Sequence, residues 1–250
     1  MICDAHVHVG YFNRLNHKEP FYYSPRRISS ILKRCGVNAF IFSSTSACYG
    51  CTEFAQLHAE AAELKRCFGK GAYAFCRLTE ALYEQDRDLT FLDNNIYCGI
   101  KLHGLDYPWS RHAGDLDRIM SILEERNMPL QLHIGEDADC HPADYLPLIK
   151  KHPHLRVDFA HCRPVQAVIG AMQELANLYT DTAFMLPERL EKLKSCGVID
   201  RVMFGTDLPV MQAYYDVQLT DYYRKVQKVF CAVADENVME KNFWRFLNLL

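Results

Sequence analysis

The chain has 250 residues, of which 49% are hydrophobic, so it is long enough to bury a substantial core. Its 28 basic and 31 acidic residues give a formal net charge of -3, which provides no electrostatic footprint for nucleic acid or for an anionic membrane surface. The composition therefore favours a small molecule as the partner, and it leaves the oligomeric state open.

The location of the protein is predicted from segments that the sequence lacks. No run of about eighteen apolar residues indicates a transmembrane helix, and the first residues have neither the basic nor the apolar region of a signal peptide. The 11 cysteines are scattered singly rather than arranged as a disulfide framework. We therefore predict a soluble protein of the reducing cytoplasm.

Eight apolar, strand-like runs recur along the chain with helical stretches between them. Division of 250 residues by eight gives about 31 residues per unit, the size of one βα module in a closed barrel. The pattern contains no linker, low-complexity run or repeat motif. We predict an α/β fold in which residues 1–250 form a single (β/α)8 TIM barrel, with strands at 2–8, 38–42, 72–77, 97–103, 130–133, 156–161, 178–181 and 202–207.

The segments between these runs carry helix start and stop signals. Proline is favoured at the first helical position, and glycine is favoured just after the last turn. We predict helices from Ser24-Pro25 to Gly36, over 52–67 and 115–126, at the first-turn prolines Pro142, Pro164 and Pro187, and over 213–234 and 235–249.

Residues with metal-binding side chains fall at the carboxyl ends of the predicted strands, the end at which TIM-barrel enzymes carry their chemistry. The first strand ends in His6-Val7-His8, whose two imidazoles point to the same face and can bind one ion. A catalytic zinc ion needs three or four nitrogen and oxygen ligands and one position for water. Singly, each residue has an ordinary structural explanation, but together they predict a metal site; the later strand ends carry Lys101, His103, His133, His161 and Asp207.

The runs that contain these residues resemble the amidohydrolase superfamily and, more narrowly, its amidohydrolase-2 group. That group includes aminocarboxymuconate-semialdehyde decarboxylase and related metal-dependent TIM-barrel hydrolases. The resemblance extends over nearly the whole chain, and it rests on the runs 4–8, 99–103, 131–136, 160–162 and 205–209 and on the closing segment 236–247.

This resemblance implies a ligand set and two catalytic residues. His6, His8, His133 and Asp207 would hold one divalent ion, with zinc preferred. His161 would lie beside the ion as a further ligand or as an acid or base. Asp207 would both bind the ion and accept the proton of the attacking water.

Four more residues are predicted to line the substrate site, and all but His103 have an alternative role. Lys101 would form a carbamate that bridges a second metal, pair with substrate or a neighbouring group, or form a structural ion pair. His103 lies on the same strand face and would contact substrate. Arg163 would bind a substrate carboxylate or lie solvated at a helix start. Trp109 would wall the substrate or pack the loops together.

Three classes of function agree with this site. The first is metal-dependent hydrolysis of a small amide, ester or lactone by an activated water. The second is non-oxidative decarboxylation of a small carboxylated substrate, which the metal motifs do not separate from hydrolysis. The third comprises a nuclease of the TatD type, for which the expected glutamate near the fourth strand is absent, and a metal-binding scaffold without catalysis.

Overall fold

The computed structural model describes residues 1–13, 19–137, 139–214 and 217–250, and within these ranges nine strands form one curled sheet. Each apolar run predicted as a strand overlaps one of them. Neighbouring strands are parallel, except that β2 pairs antiparallel with β1 at the sheet edge. The strands are β1 (Cys3–Phe12), β2 (Phe21–Tyr23), β3 (Ala39–Ser44), β4 (Ala72–Arg77), β5 (Tyr97–Leu102), β6 (Leu130–His133), β7 (Val157–Ala160), β8 (Leu178–Asp181) and β9 (Val202–Met203).

The residues that follow β9 close the sheet against β1. The His8 N–H donates to the Leu208 carbonyl at 2.7 Å, and the Asp207 N–H donates to the His6 carbonyl at 2.8 Å. These bonds join the first and last strand segments of the chain, so the predicted (β/α)8 barrel is confirmed. They also place His6, His8 and Asp207 side by side at one end of the barrel.

The short strand β2 is absent from the sequence prediction. It pairs with the part of β1 that continues beyond the predicted end of that strand, so that Gly10 lies opposite Tyr23. A three-residue strand is too short to show the alternation that identifies strands in a sequence. It is a strand only because its backbone pairs with the last part of β1, which extends to Phe12.

The helices follow the strands in the predicted order, with differences at several ends. Pro142 is the first residue of its helix, but Pro164 occupies the N-cap position and Pro187 precedes its helix by two residues. The predicted helix 213–234 is divided, and 235–249 begins with a π-helical turn, Asn237–Lys241. The helices are α1 (Pro25–Arg34), α2 (Phe54–Phe68), α3 (Glu80–Gln85), α4 (Ala113–Glu125), α5 (Pro142–Ile149), α6 (Val165–Glu174), α7 (Arg189–Ser195), α8 (Met211–Tyr214), α9 (Leu219–Val233) and α10 (Asn242–Phe246).

The core lies between the helices and the barrel strands. Helix α4 is typical, because its buried residues recur at helical spacing and form one apolar stripe. Burial of each such side chain contributes about 1.5–3 kcal/mol to folding before entropy is subtracted. Within the described ranges, the structure contains no helix that is both long enough and apolar enough to cross a membrane.

Candidate metal centre

Three side chains from the first and last strand segments converge at the carboxyl end of the barrel. The Nε2 atoms of His6 and His8 are 3.2 Å apart. The Asp207 Oδ1 atom lies 3.0 Å from the His8 Nε2 atom and 3.5 Å from the His6 Nε2 atom. All three residues are buried, so little water reaches the space between them.

The other nitrogen of each imidazole is occupied by an acceptor. The His6 Nδ1–H donates to the Asp181 carboxylate at 2.8 Å. The His8 Nδ1 atom lies 2.9 Å from the Ser43 hydroxyl and 3.3 Å from the Ser43 carbonyl, which accepts from it. With the protons on the Nδ1 atoms, both Nε2 lone pairs face the Asp207 carboxylate.

The charges of these groups agree with that arrangement. Burial lowers the pKa of His8 to about 4, although the neighbouring Asp207 opposes the change, so His8 is neutral at pH 7. Burial also opposes the ionisation of Asp207, but the proximity of His6 and the contact with His8 hold the pKa of the carboxyl below its ordinary value. A neutral His8 imidazole therefore faces an ionised Asp207 carboxylate.

This arrangement fits a divalent cation. The Asp207 Oδ1 atom is buried and accepts no hydrogen bond within the described ranges, despite the short distance to His8. Lone pairs on three such atoms repel one another unless a proton or a cation lies between them, and a divalent cation can be shared by all three. The mixed nitrogen and oxygen donor set suits zinc and similar divalent ions.

His161 lies beside this group and is paired with His133. One ring nitrogen of His161 lies within 4.8 Å of donor atoms of His6 and Asp207. Its Nε2 atom is 3.0 Å from the His133 Nδ1 atom, and its Nδ1 atom is buried without a partner within the described ranges. Burial lowers the pKa of both rings well below the ordinary value. The structure thus places His161 next to His6, and His133 behind His161.

The backbone is strained at two of these residues. His161 has a φ of 78° and Asp207 a φ of 54°, both in the left-handed region that side chains with a Cβ rarely adopt. Such conformations persist where surrounding structure fixes them, and they are concentrated at functional sites. They aim the His161 and Asp207 side chains from the strand ends toward His6.

His103 and Lys101 lie on the other side of this group. The His103 ring stacks on the His133 ring, with centroids 3.7 Å apart and an interplanar angle of 16°. Burial lowers the pKa of His103 to about 3, and the Leu105 N–H donates to its Nδ1 atom at 3.1 Å. Lys101 is buried with its Nζ atom 3.5 Å from the His6 Nε2 atom, and burial lowers its pKa.

Arg163 and Trp109 have different environments. Arg163 lines a cleft of about 330 Å³ together with Phe184, Met211 and Tyr214. The Phe184 ring centroid lies 5.8 Å from that of His161, so the cleft opens beside the candidate metal ligands. Trp109 is fully buried, and its indole packs edge-on against the rings of two tyrosines, Tyr83 and Tyr107. The structure therefore brings Arg163 to the site and leaves Trp109 inside the loop packing.

The sequence analysis missed the residues that support the ligands. Asp181 accepts from His6 through one oxygen and from the His161 N–H, at 3.1 Å, through the other. Ser43 supports His8, and Arg77 at the end of β4 forms a partly buried ion pair with Asp106 at 2.7 Å. Asp181 and Arg77 each end a predicted strand, which is the same signal that identified Asp207.

A closed barrel with histidines and an aspartate converging at the carboxyl ends of its strands is the architecture of a metal-dependent barrel enzyme. Residues 58–245 match the family model described as Amidohydrolase, so the chain belongs to the amidohydrolase family and is an enzyme of that superfamily. The His6-Val7-His8 run lies before the matched region. No curated protein matches the sequence.

Solved structures share the fold at low sequence identity. One is a probable 2-pyrone-4,6-dicarboxylic acid hydrolase from Acinetobacter baumannii with citric acid bound, with 13% identity, a TM-score of 0.71 and 99% of each chain covered. Another is 5-carboxyvanillate decarboxylase from Sphingomonas paucimobilis, with 10% identity, a TM-score of 0.67, and 100% of this chain and 99% of that chain covered. The decarboxylase of that name from Novosphingobium aromaticivorans, complexed with manganese, has 13% identity, a TM-score of 0.61, and coverage of 91% of this chain and 81% of that chain.

Proposed function

We propose that this protein is a metal-dependent hydrolase that acts on a small amide, ester or lactone through an activated water. The observation that carries the proposal is the convergence of the His6 and His8 Nε2 atoms on the unpaired Asp207 Oδ1 atom. A bound divalent ion would lower the pKa of a water and polarise the substrate carbonyl. Zinc is the proposed ion, because two imidazoles and a carboxylate are among its usual ligands.

The proposed ligand set is His6, His8 and Asp207, completed by one ring of the His133–His161 pair. His161 is the nearer ring, since one of its nitrogens lies within 4.8 Å of donor atoms of His6 and Asp207. The resemblance of the sequence to the amidohydrolase-2 group favours His133 as the fourth ligand instead. Loss of metal from His133→Ala but not from His161→Ala would assign the position to His133, and the reverse would assign it to His161.

Asp207 and His161 are the proposed proton-transfer groups. Asp207 is ionised at neutral pH, because its neighbours hold its pKa below the ordinary value, so it can accept a proton from the attacking water. His161 is neutral and its Nδ1 atom has no partner within the described residues, so the ring can pass a proton to the leaving group. The two side chains lie within reach of one another.

Arg163 and His103 are the proposed substrate contacts, together with Lys101. Arg163 can bind a substrate carboxylate by two parallel hydrogen bonds at the mouth of the 330 Å³ cleft. Lys101 is proposed to remain an amine that pairs with neighbouring carboxylates, since Asp181 and Asp158 raise its pKa against the effect of burial. A carbamate at Lys101 is the alternative and would bring a second metal ion into the site.

The test of this proposal is elemental analysis of protein expressed in unsupplemented medium. One equivalent of zinc, together with hydrolysis of a panel of small lactones, esters and amides, is the expected result. Two equivalents would support the Lys101 carbamate. Failure to retain any divalent ion after reconstitution would refute the proposal.

Decarboxylation of a small carboxylated substrate is the second candidate, favoured by Arg163 at the cleft beside His161. Hydrolases also bind carboxylates, so this contact alone does not decide between the two reactions. Release of carbon dioxide from carboxylated aromatics or muconates, without consumption of a lactone, ester or amide, would establish decarboxylation.

A further inference from the structure

The last strand segment, 204–208, closes against β1 along a seam that contains the buried carboxylate of Asp4. The Asp4 Oδ1 atom accepts from the His6 N–H at 3.0 Å and from the Thr206 N–H at 3.1 Å. The Asp4 Oδ2 atom accepts from the Thr206 hydroxyl at 2.6 Å and from the Tyr223 hydroxyl at 2.9 Å. Strand β1, the 204–208 segment and helix α9 therefore meet at a side chain that takes no part in the proposed chemistry.

The Asp4 carboxylate replaces a backbone acceptor at a point where the pairing across the seam is irregular. The Ala5 N–H donates to the Phe204 carbonyl at 2.8 Å. A regular parallel ladder would continue with a bond from the Thr206 N–H to the Ala5 carbonyl. The Thr206 N–H donates to Asp4 instead, and the Ala5 carbonyl accepts from the Gln131 side chain at 3.0 Å. Such irregularities bend a strand and re-aim its side chains, often next to an active site.

The two N–H groups on the Asp4 Oδ1 atom belong to the segments that carry the proposed ligands. His6 is itself a proposed ligand, and Thr206 immediately precedes Asp207. The Asp207 backbone has a φ of 54°, a left-handed conformation that persists where surrounding structure fixes it. Asp4 holds the preceding residue through both its N–H and its hydroxyl. The 3.5 Å distance between the His6 Nε2 and Asp207 Oδ1 atoms is therefore set in part by Asp4.

Close packing at Gly205 leaves the seam little room to shift. A Cβ atom at this position would lie 3.0 Å from the Asp181 Cβ atom and 3.2 Å from the His6 Cβ atom. The absence of a side chain lets the backbone pass close to His6 and to the carboxylate that accepts from the His6 Nδ1–H. Because packing confines Gly205, a change in the hydrogen bonds of Thr206 displaces Asp207 rather than the whole segment.

Tyr223 connects this arrangement to the outer layer of the barrel. It lies on the buried face of α9, together with Leu219 and Phe230, and is fully buried itself. Its hydroxyl donates to the same Oδ2 atom as the Thr206 hydroxyl, so the two donors hold the carboxylate in one orientation. The position of the Asp4 side chain thus depends on how α9 packs on the barrel.

We propose that Asp4 is a positioning residue of the metal centre and that Tyr223 fixes its orientation. Asp4 is not itself a ligand. It sets the separation of His6 and Asp207, and it thereby determines how tightly a divalent ion is bound and in what geometry. This role rests on the proposed function, because it requires a divalent ion at the site, but it does not depend on which reaction the protein catalyses.

The first experiment measures metal binding in variants of Asp4. Asp4→Ala removes the acceptor for all of these donors and is expected to weaken Zn²⁺ binding, measured by competition with a chelator, by at least about tenfold. The visible absorption spectrum of the Co²⁺-substituted protein is expected to change as well, because it reports the geometry of the ligands. Asp4→Asn keeps one acceptor oxygen for the two N–H groups and is expected to restore most of the wild-type affinity.

The second experiment uses Tyr223→Phe, which decides the question if Asp4→Ala does not fold. This variant loses a single hydroxyl and is expected to weaken Zn²⁺ binding about threefold and to shift the Co²⁺ spectrum. Tyr83→Phe is the matched control, because Tyr83 is also fully buried and donates to an aspartate, Asp115, at 3.2 Å, but lies on α3, away from the seam. It is expected to leave affinity and spectrum unchanged. Urea unfolding of the metal-free proteins measures the loss of stability that both hydroxyl deletions share.

Several results would overturn the proposal. Unchanged Zn²⁺ affinity and an unchanged Co²⁺ spectrum in folded Asp4→Ala and Tyr223→Phe, with lower stability alone, would give Asp4 a purely structural role. An equal effect of Tyr83→Phe would show that the loss is not specific to the seam. A wild type that binds neither ion would refute both the metal centre and the role of Asp4. Because neither readout uses turnover, binding of metal without hydrolysis would count against the hydrolase function alone.

Discussion

The site contains two pairs of histidines whose arrangements differ. The His6 and His8 rings meet edge-on, at an interplanar angle of 71°, and their Nε2 atoms lie 3.2 Å apart beside Asp207. The His103 and His133 rings instead stack in parallel at 3.7 Å. Convergent lone pairs suit a shared cation, whereas stacked neutral rings pack as aromatic surfaces.

The difference arises from what lies behind each ring. Acceptors from Asp181 and Ser43 hold the Nδ1 atoms of His6 and His8, so the other nitrogens are directed into the site. The Nδ1 atom of His103 itself accepts a backbone N–H, so no carboxylate fixes its proton. The groups behind a histidine therefore decide which role it takes.

The largest predicted effect separates the two pairs directly. His6→Ala and His8→Ala are each expected to abolish metal retention, because each removes one of the convergent donors. His103→Ala is expected to keep the metal. Elemental analysis of the purified variants checks both expectations, and full metal content in His8→Ala would remove that ring from the ligand set.

The next effect concerns Asp207. Asp207→Asn keeps the shape of the side chain but cannot accept the proton of water, so turnover is expected to fall by at least about a hundredfold while much of the zinc remains. Steady-state kinetics together with metal content measure the two effects separately. Near-native turnover would make His161 the first candidate for the base.

A smaller effect is expected behind the ligands. Asp181→Asn removes the charge that orients His6 and is expected to lower metal affinity by about 10- to 100-fold. Ser43→Ala is the comparison for His8, where the Ser43 carbonyl remains as an acceptor, so the loss is expected to be smaller. Competition with a chelator measures both affinities. Equal losses would show that the acceptor charge is unimportant.

Arg163 tests the boundary between metal binding and substrate binding. Arg163→Ala is expected to leave the metal bound and to raise KM about tenfold, because a charge-assisted contact to a substrate carboxylate is lost. Arg163→Lys keeps the charge without the planar fork and is expected to give an intermediate KM. Loss of metal in Arg163→Ala would contradict the division between the two roles.

The smallest effect concerns the ion pair on the His103 side. Burial opposes the ionisation of Asp106, but Arg77 holds its pKa below the ordinary value, so the pair stabilises the fold above about pH 4 and less as the pH falls through the folded pKa. Asp106→Asn is expected to lower the free energy of unfolding by about 1 kcal/mol at pH 7 and to match the wild type at low pH.

Asp93→Asn, in an exposed pair with Arg126, is the control and is expected to have no effect. Urea unfolding of metal-free protein measures the difference, and a difference that persists at low pH would contradict the assignment.

Much of the fold follows from local pattern. Strand runs such as 97–103 and helix stripes such as that of α4 depend on periodicity within a few residues, and both agree with the structure. The hairpin strand β2 has only three residues and no pattern of its own, so the sequence does not reveal it.

The sequence by itself determined which residues lie in or just after the apolar strand runs, because such a run marks a buried strand of a parallel barrel. His6, His8, His161 and Asp207 are all identified in this way, although β1 continues past His8 to Phe12 and β9 already ends at Met203. Only the tertiary structure decided which ring faces Asp207, which ring stacks, and which acceptor stands behind each. Asp181 and His6 are 175 residues apart and meet only when the barrel closes, so no local pattern contains their contact.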